Sequence, residues 1–303
     1  MVDLSKLTTE VRNPATMNLD EMTPFEIVTA MNREDHHAVA AVGTVLPEVS
    51  RAITWCTESL RSGGRVIYIG AGTSGRLGLL DAVECPPTFG VSPDLVVGLL
   101  AGGNKAFVKA VEGAEDSCCL GVDDLKGIGA NAKDTVIGLA ASGRTPYVIH
   151  GLRYARGIGC KTIAVACNQD SLVGKEAELA IEPTPGPEVL TGSTRLKAGT
   201  VQKLILNMIS TGSMIGIGKV YQNLMIDVVQ TNEKLVTRAE NIVMTATGCN
   251  REAAKEALQK AAGSVKVAVT MILLNCEAEK ARERLEEAGG HIRCALQRKN
   301  NRQ

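Results

Sequence analysis

A turn rich in glycine and hydroxyl residues stands where the first predicted strand gives way to a helix. It reads Gly70-Ala71-Gly72-Thr73-Ser74-Gly75 and follows an apolar run at residues 65–69. Backbone N–H groups at the start of a helix attract anions, glycine lets an anion approach closely, and hydroxyl groups add hydrogen-bond donors. The turn therefore predicts a phosphate site. The residues predicted to contact the phosphate are Gly72, Thr73, Ser74 and Gly75.

The same turn also fits the G-x-G-x-x-G pattern of dinucleotide-binding proteins. Those proteins carry an acidic residue at the end of the second strand, where it binds the ribose. Here the second predicted strand, at residues 95–99, is followed by Leu100-Ala101-Gly102 and has no acid at its end. A small phosphoester is therefore favoured over NAD.

A second turn of similar composition follows the third predicted strand, at residues 135–139. It contains Ser142, Gly143 and Thr145, and Pro146 is placed to begin a helix. The carboxyl ends of parallel strands meet at one edge of a sheet, and open α/β sheets bind their ligands there. The two turns therefore predict one shared phosphate crevice, with Ser142, Gly143 and Thr145 among its contacts.

Two further stretches carry carboxylates. The spacing of these residues leaves their role open. Glu84 lies ten residues after Ser74, next to Pro86-Pro87, which is predicted to end the helix. A solvated side chain at a helix end explains Glu84 about as well as an acid–base role does. Glu115 falls in an acidic run at residues 112–116, and periodicity alone favours a solvated loop there.

The bulk composition narrows the class of protein. Lys plus Arg and Asp plus Glu number 33 each, so no overall field attracts nucleic acid or an anionic membrane. The start of the chain is polar and no stretch reads as a membrane span, which predicts a cytoplasmic protein. The nine cysteines and four histidines show no disulfide or metal-ligand spacing. No metal site is predicted, and acid–base chemistry would fall to carboxylates.

The elements that must position these groups alternate between strand and helix. Strands are predicted at residues 65–69, 95–99, 135–139, 162–166 and 179–181. Helices between them are predicted at residues 74–83, 105–111, 145–157 and 171–177. This alternation predicts an α/β fold with a doubly wound, five-stranded parallel sheet flanked by helices.

The chain is predicted to divide into three parts. Residues 1–54 form a helical N-terminal segment with a helix cap at Thr23, residues 55–218 form the sheet domain, and residues 219–303 form a helical C-terminal region with a small subdomain. After the helix that begins at Thr23, a second helix is predicted from about Asp35 to Ser62, with an interruption near Pro47. The helices predicted after Pro187 span residues 193–216, 220–247, 251–263 and 265–288.

Longer runs of residues are more specific than the glycine turns. They read LTTE at 7–10, GAGTSGRLG at 70–78, ECPPTFG at 84–90, EGAED at 112–116, AASGRTPY at 140–147, GPEVLTGSTR at 186–195 and LKAGT at 196–200. They resemble the sugar isomerase (SIS) domain family and, within it, the N-acetylmuramic acid 6-phosphate etherases. The resemblance covers nearly the whole chain.

The resemblance implies a carbon–oxygen lyase that needs no cofactor. It would cleave the lactyl ether of N-acetylmuramic acid 6-phosphate by elimination and water addition, giving N-acetylglucosamine 6-phosphate and D-lactate in amino sugar and cell-wall recycling. It assigns the catalytic roles to Glu84, as proton donor, and Glu115, and it implies a homodimer. Arg195 and Lys197 lie at a predicted helix start and are expected to contact the substrate.

Helix geometry adds a constraint on the subunit that supplies each glutamate. Glu84 lies about 15 Å along one helix from Ser74, farther than a hexose phosphate comfortably spans. We therefore expect Glu84 to act on sugar held by the other subunit, which places the active site near the interface. Two alternatives stay open: a regulatory protein that senses sugar phosphates, as glucokinase regulatory protein does, and an SIS-type phosphosugar isomerase.

Overall fold

The computed structural model describes residues 7–109, 111–228 and 233–297 of the 303-residue chain. Its contacts divide the chain into two compact units. The first holds the chain up to Val83 together with Pro93–Ser210, and the second holds Glu84–Ser92 and the chain from Thr211 onward. The N-terminal helices thus group with the sheet, where the sequence predicts a separate segment.

The first unit is built on a five-stranded parallel sheet. Its strands are β1 (Val66–Gly70), β2 (Val96–Leu100), β3 (Thr135–Leu139), β4 (Lys161–Val165) and β5 (Leu179–Ile181). Their order is β2-β1-β3-β4-β5, and every neighbouring pair is parallel. Each strand lies within one residue of its predicted position. Because the order reverses between β1 and β3, the ends of these two strands flank a crevice.

Helices make up most of the remaining chain. The first eight are α1 (Pro24–Gly43), α2 (Leu46–Arg61), α3 (Gly72–Phe89), α4 (Lys105–Val108), α5 (Leu120–Gly127), α6 (Pro146–Gly157), α7 (Leu172–Glu176) and α8 (Lys197–Gly216). They are followed by α9 (Glu233–Thr247), α10 (Arg251–Lys260), α11 (Val265–Leu274), α12 (Ala278–Glu287) and α13 (Ile292–Gln297). Two 3₁₀ turns, Pro14–Thr16 and Leu19–Glu21, precede α1.

Helices pack on both faces of the sheet. On one face, Ile67 of β1 lies in a buried cluster with Leu152 of α6. Successive residues of a strand point to opposite faces. Tyr68 therefore points to the other face, where its hydroxyl donates a hydrogen bond to Asp81 of α3 at 2.9 Å. The predicted doubly wound architecture is confirmed.

The N-terminal helices begin with the predicted cap but divide at a different place. The Thr23 hydroxyl accepts a hydrogen bond from the Glu26 N–H, and the Glu26 carboxylate accepts one from the Thr23 N–H. This capping box fixes the start of α1. The sequence predicts a second helix from Asp35, but α1 continues to Gly43 because nothing near Asp35 breaks it. The break near Pro47 is confirmed, since Pro47 lies in the first turn of α2.

Helix α3 runs past the two prolines at which the sequence predicts its end. Pro86 and Pro87 lie inside the helix, which ends at Phe89. Proline holds φ near a helical value, so the chain can go on turning, although each proline removes an N–H donor and crowds the carbonyl four residues before it. Gly90, at φ +60°, closes the helix by donating its N–H to the Pro86 carbonyl at 2.9 Å. Glu84 therefore stands more than one turn before the helix end.

Two predicted helices of the second unit are wrong in part. The helix predicted over 220–247 begins instead with a short antiparallel hairpin, β6 (Val220–Tyr221) and β7 (Leu224–Met225), turned by Gln222 at φ +54°. The part of that prediction at 229–232 lies outside the described residues. The helix predicted over 265–288 breaks at Asn275, at φ +50°, a conformation that asparagine tolerates better than most residues.

Within residues 7–109, 111–228 and 233–297, no single helix is long and apolar enough to cross a membrane. Helices α10 and α11 pass by length and composition only as a pair, and the pair is bent by 112°.

The variant Asp81→Asn is expected to gain stability relative to the wild type as the pH rises. Burial raises the pKa of Asp81 from its ordinary value of 3.8 to about 6, while hydrogen bonds from Tyr68 and Ser210 and the charge of Lys203 act to lower it. Between these two pKa values the folded protein holds a proton that the unfolded chain releases. The free energy of unfolding therefore falls across this window as the pH rises, by about 3 kcal/mol in all.

Urea unfolding of wild type and Asp81→Asn at pH 5 and pH 8 measures this effect. The variant cannot titrate here, so its advantage should be larger at pH 8. The Ser210 hydroxyl can rotate to accept a hydrogen bond from the new amide. Asp20→Asn, at an exposed position, is the control. An equal pH dependence in wild type and Asp81→Asn would contradict the assignment.

Candidate functional site

The two hydroxyl turns lie at the same edge of the sheet, as predicted. Gly70, the last residue of β1, pairs in register with Leu139, the last residue of β3. The first turn follows Gly70 and the second follows Leu139. A cavity of about 360 Å³ opens at the second turn, and one of about 210 Å³ opens at the first. The larger cavity is lined by Glu10, Glu115, Asp116, Ser142, Arg144 and Thr145, among others.

The first turn is tight because glycine lets the start of α3 approach the end of β1. A Cβ atom added to Gly75 would lie 2.4 Å from the Gly70 carbonyl oxygen. Gly72 has φ +54°, in the left-handed region that favours glycine. The Gly75 N–H donates to the Ala71 carbonyl at 3.1 Å, so Gly75 serves here mainly to make room. The N–H groups of the first helical turn, ahead of Gly75, are those that can meet an anion.

The variant Gly75→Ala is expected to destabilise the protein by about 1–3 kcal/mol, because the new methyl group meets backbone atoms that cannot move aside. Thermal unfolding measures the loss. Gly127→Ala is the matched control, since nothing lies within 4 Å of its added Cβ. There the gain in helix propensity, up to about 1 kcal/mol, should dominate. Equal stability changes in the two variants would show that the turn is less tight than described.

The hydroxyl groups of the two turns are placed differently. Ser74 is buried, and its hydroxyl donates to Gln202 Oε1 at 2.8 Å. Thr145 occupies the cap position of α6, as predicted, but its side chain makes no capping hydrogen bond. Ser142 is half-buried and lines the larger cavity. Gly143 has φ +74°, and a Cβ atom there would lie 2.4 Å from Ser171 Cβ.

Glu115 lines both cavities. It is exposed, and its backbone carbonyl accepts a hydrogen bond from the Tyr147 N–H at 3.1 Å. Because Tyr147 begins α6 directly after the second turn, this bond holds the segment of Glu115 beside that turn. Glu84 is also exposed and belongs to the second unit. Acid–base roles for the two glutamates remain predictions.

Lys197 lies inside the first unit, although the sequence suggests a substrate contact for it. Its side chain is 2% exposed, and its ammonium group pairs with Glu34. The backbone N–H groups of Lys197 and Ala198 donate to the buried Glu188 carboxylate, both at 2.9 Å. Burial raises the pKa of Glu188 in spite of these donors. The ion pair ties Lys197 to Glu34 of α1, Arg195 is exposed, and contact of either side chain with the substrate stays a prediction.

Glu10 is a cavity residue to which the sequence assigns no role. The Thr8 N–H donates to Asn168 Oδ1 at 2.8 Å, and Asn168 Nδ2 donates to the Ala141 carbonyl at 3.2 Å. These bonds fix the segment before the first helix against the second turn. The LTTE run contributes to the family resemblance, but a polar segment near a terminus otherwise reads as a lead-in. Only its long-range contacts place Glu10 in the cavity.

Arg76 connects the first turn to the segment after β2. Its guanidinium donates to the carbonyls of Ala106 at 2.7 Å and Phe107 at 2.9 Å. Arg76 and Ala106 both line the smaller cavity, together with Glu115. Helix α4 is thereby tied to the helix start after β1.

This chain is similar to a known family model and to a solved structure. The family model described as "Glucokinase regulatory protein N-terminal SIS domain" matches residues 48–156. In solved structures, the fold resembles a phosphoheptose isomerase from Francisella tularensis, with a TM-score of 0.50, 15% identity, and coverage of 64% of this chain and 100% of that one. At that identity the likeness shows the fold alone.

Relatives of high identity span almost the whole chain. N-acetylmuramic acid 6-phosphate etherase from Pectobacterium atrosepticum is 57% identical over 272 residues, covering 90% of each chain. The etherase from Mycolicibacterium smegmatis is 58% identical over 271 residues, covering 89% of this chain and 91% of that one. The etherase from Bacillus mycoides is also 58% identical, with coverage of 89% and 92%. The regulatory and isomerase alternatives are therefore not favoured, and the chain belongs to the family of N-acetylmuramic acid 6-phosphate etherases.

Proposed function

We propose that this protein cleaves the lactyl ether of N-acetylmuramic acid 6-phosphate, giving N-acetylglucosamine 6-phosphate and D-lactate. Membership of the etherase family supports the substrate. The observation that carries the proposal is the position of Glu115, which lines both cavities beside the two hydroxyl turns at the ends of β1 and β3. A carboxylate next to an anion-binding turn can act on a sugar whose phosphate the turn holds.

The proposed reaction needs two carboxyl groups. In the open-chain sugar C1 is an aldehyde, so the proton on C2 is acidic. One carboxylate removes that proton while a carboxylic acid protonates the lactyl oxygen that leaves C3, and a C2–C3 double bond forms. Water then adds, its hydroxyl to C3 and its proton to C2, and the sum is hydrolysis of the ether. By the family resemblance Glu84 is the proton donor, and Glu115 is the second acid.

The phosphate is proposed to bind at the hydroxyl turns. At the first turn the contacts are the helix-start N–H groups from Gly72 and the hydroxyls of Thr73 and Ser74. At the second turn they are Ser142, Gly143 and Thr145. N–H and hydroxyl donors at two adjacent strand ends suit an oxyanion with several acceptor atoms. Glu10 and Arg144 line the larger cavity together with Ser142 and Thr145.

We propose that the protein is a homodimer with its active site near the interface. Helix α1 carries exposed apolar side chains, Phe25 at 78% and Val28 at 58%. Val83, which precedes Glu84, is 60% exposed. Phe25 and Val28 lie three residues apart on α1 and so share one side of that helix, and neighbouring exposed apolar side chains favour contact with another protein surface. A second copy could also bring its phosphate turn to Glu84. A cytoplasmic location and independence from cofactors complete the proposal.

Reaction in water enriched in oxygen-18 tests the proposed chemistry. Elimination breaks the bond between C3 and oxygen, so D-lactate keeps the ether oxygen and the sugar gains one from water. Mass spectrometry of fragment ions should find oxygen-18 at C3 of N-acetylglucosamine 6-phosphate and none in the lactate hydroxyl. Label in the lactate hydroxyl would contradict elimination and indicate attack on the lactyl carbon.

A further inference from the structure

The side-chain amide of Gln202 lies in the interior beside the first hydroxyl turn. Gln202 is on α8 and is 1% exposed. Its Oε1 accepts the hydrogen bond from the Ser74 hydroxyl at 2.8 Å. Its Nε2 is buried as well, and within the described residues it makes no hydrogen bond. Buried amide donors nearly always have an acceptor, so this one calls for an explanation.

The direction of the Ser74–Gln202 hydrogen bond conflicts with a role for Ser74 in anion binding. A serine hydroxyl has one proton to donate. While that proton goes to Gln202 Oε1, it is not available to a phosphate oxygen. The buried amide thus holds Ser74 in an orientation unsuited to the ligand that the turn is built to receive.

Turning the amide over resolves the conflict. Nε2 then donates to Ser74 Oγ, and the Ser74 proton is released toward the crevice. Each arrangement leaves one amide atom without a partner, the nitrogen in the first and the oxygen in the second. An unpaired carbonyl oxygen is tolerated somewhat better than an unpaired N–H. In the second arrangement, however, the Ser74 proton has no acceptor until a ligand supplies one, so the first arrangement is favoured without ligand and an anion that accepts the proton selects the second.

We propose that Gln202 is a positioning residue for phosphosugar binding and acts through Ser74. Without ligand its amide accepts the Ser74 proton. With ligand the amide donates to Ser74 Oγ, and Ser74 donates to the phosphate. Nε2 is itself sealed from solvent, which excludes a direct contact with the sugar. The proposal rests on the proposed function only in taking the ligand to be a phosphosugar held at the turn after β1.

A double-mutant cycle tests the proposal. Gln202→Met keeps the volume of the side chain and removes both amide groups. Binding of N-acetylglucosamine 6-phosphate, measured by calorimetry, should weaken about 10-fold in Gln202→Met, as expected for loss of an oriented hydrogen bond to a charged group. In the Ser74→Ala background the same substitution should change Kd by less than about twofold. Equal losses in both backgrounds, or no loss with Ser74 present, would overturn the proposal.

Stability separates this role from a purely structural one. Gln202→Met removes an unpaired buried N–H group but also the acceptor of the Ser74 hydroxyl, so these two effects oppose each other and its Tm should stay close to that of the wild type while its binding weakens. Gln259→Met, at an exposed position of α10, is the matched control and should change neither quantity. Weaker binding that merely follows a lower Tm would overturn the positioning role.

A second readout does not depend on folding of the Gln202 variant. In protein labelled with ¹⁵N-glutamine, the Gln202 side-chain signal should shift on addition of N-acetylglucosamine 6-phosphate, and should not shift in Ser74→Ala. An unchanged signal in ligand-saturated wild type would overturn the proposal. Both experiments measure binding rather than turnover. A protein that binds the sugar phosphate but releases no lactate would refute the proposed function and leave the test of Gln202 intact.

Discussion

Replacing Glu115 by Gln is expected to lower the rate of D-lactate release by about 10²–10⁴-fold, and Glu84→Gln is expected to have an effect of the same size, because each substitution would remove one positioned proton transfer. Glutamine keeps the shape of the side chain but neither gives up nor takes a proton at the relevant pH. Both glutamates are exposed, so the substitutions should leave the fold intact. The measurement is D-lactate release at saturating substrate, with circular dichroism as the check on folding.

Two matched controls make the result specific. Glu112→Gln changes an exposed acid in the same EGAED run that lines only the smaller cavity, and it should retain most of the activity. Glu252→Gln is the matched control for Glu84→Gln, because Glu252 on α10 and Glu84 are both exposed acids of the second unit. A folded Glu115→Gln protein that keeps more than about a tenth of wild-type activity would exclude Glu115 as a group that transfers protons.

Mixing two inactive variants restores activity if the two subunits share each active site. In a dimer of one Glu84→Gln subunit and one Ser74→Ala subunit, the intact turn of the first faces the intact Glu84 of the second. That site works, and the other site carries both substitutions. Random reassembly makes half of the dimers mixed, each with one working site of two, so activity should return to about a quarter of wild type.

The same experiment tests the geometric argument for sharing. Glu84 lies about 15 Å along α3 from Ser74, too far for one hexose phosphate to touch both. The control is to mix Glu84→Gln with Glu115→Gln after each has been shown to be dimeric. Recovery of activity in this mixture shows that Glu115 acts on the sugar held by the phosphate turn of its own subunit. If Glu84→Gln and Ser74→Ala form mixed dimers that stay inactive, each site is built from one subunit.

The sheet was predictable because its strands carry a local signal. Each of the five is a short apolar run that ends near a small residue, and buried parallel strands read in that way. Helix α5 was missed because its sequence, Leu120–Gly127, includes two glycines and its N-cap residue, Cys119, makes no side-chain capping hydrogen bond. A Cβ atom on Gly121 would lie 2.2 Å from the Tyr147 carbonyl oxygen. Close packing against α6, which no local pattern reveals, stabilises this helix.

The site, too, has parts that neighbouring residues in the sequence predict and parts that they do not. The hydroxyl turns were predictable, since each follows its strand directly in sequence. The places of Glu10 and Lys197 were not. Glu10 reaches the cavity through bonds between Thr8 and Asn168, 160 residues apart, and Lys197 meets Glu34 across 163 residues. Such contacts follow from the fold, and a reading of neighbouring residues cannot supply them.

The most direct test of the central claim is the release of D-lactate from N-acetylmuramic acid 6-phosphate by the purified wild-type protein, with and without EDTA. The account predicts that lactate and N-acetylglucosamine 6-phosphate appear in equal amounts and at the same rate in both conditions. A folded protein that binds the sugar phosphate and releases no lactate would contradict the etherase function. Release that stops in EDTA and returns on addition of a metal would contradict a mechanism carried by two carboxyl groups alone.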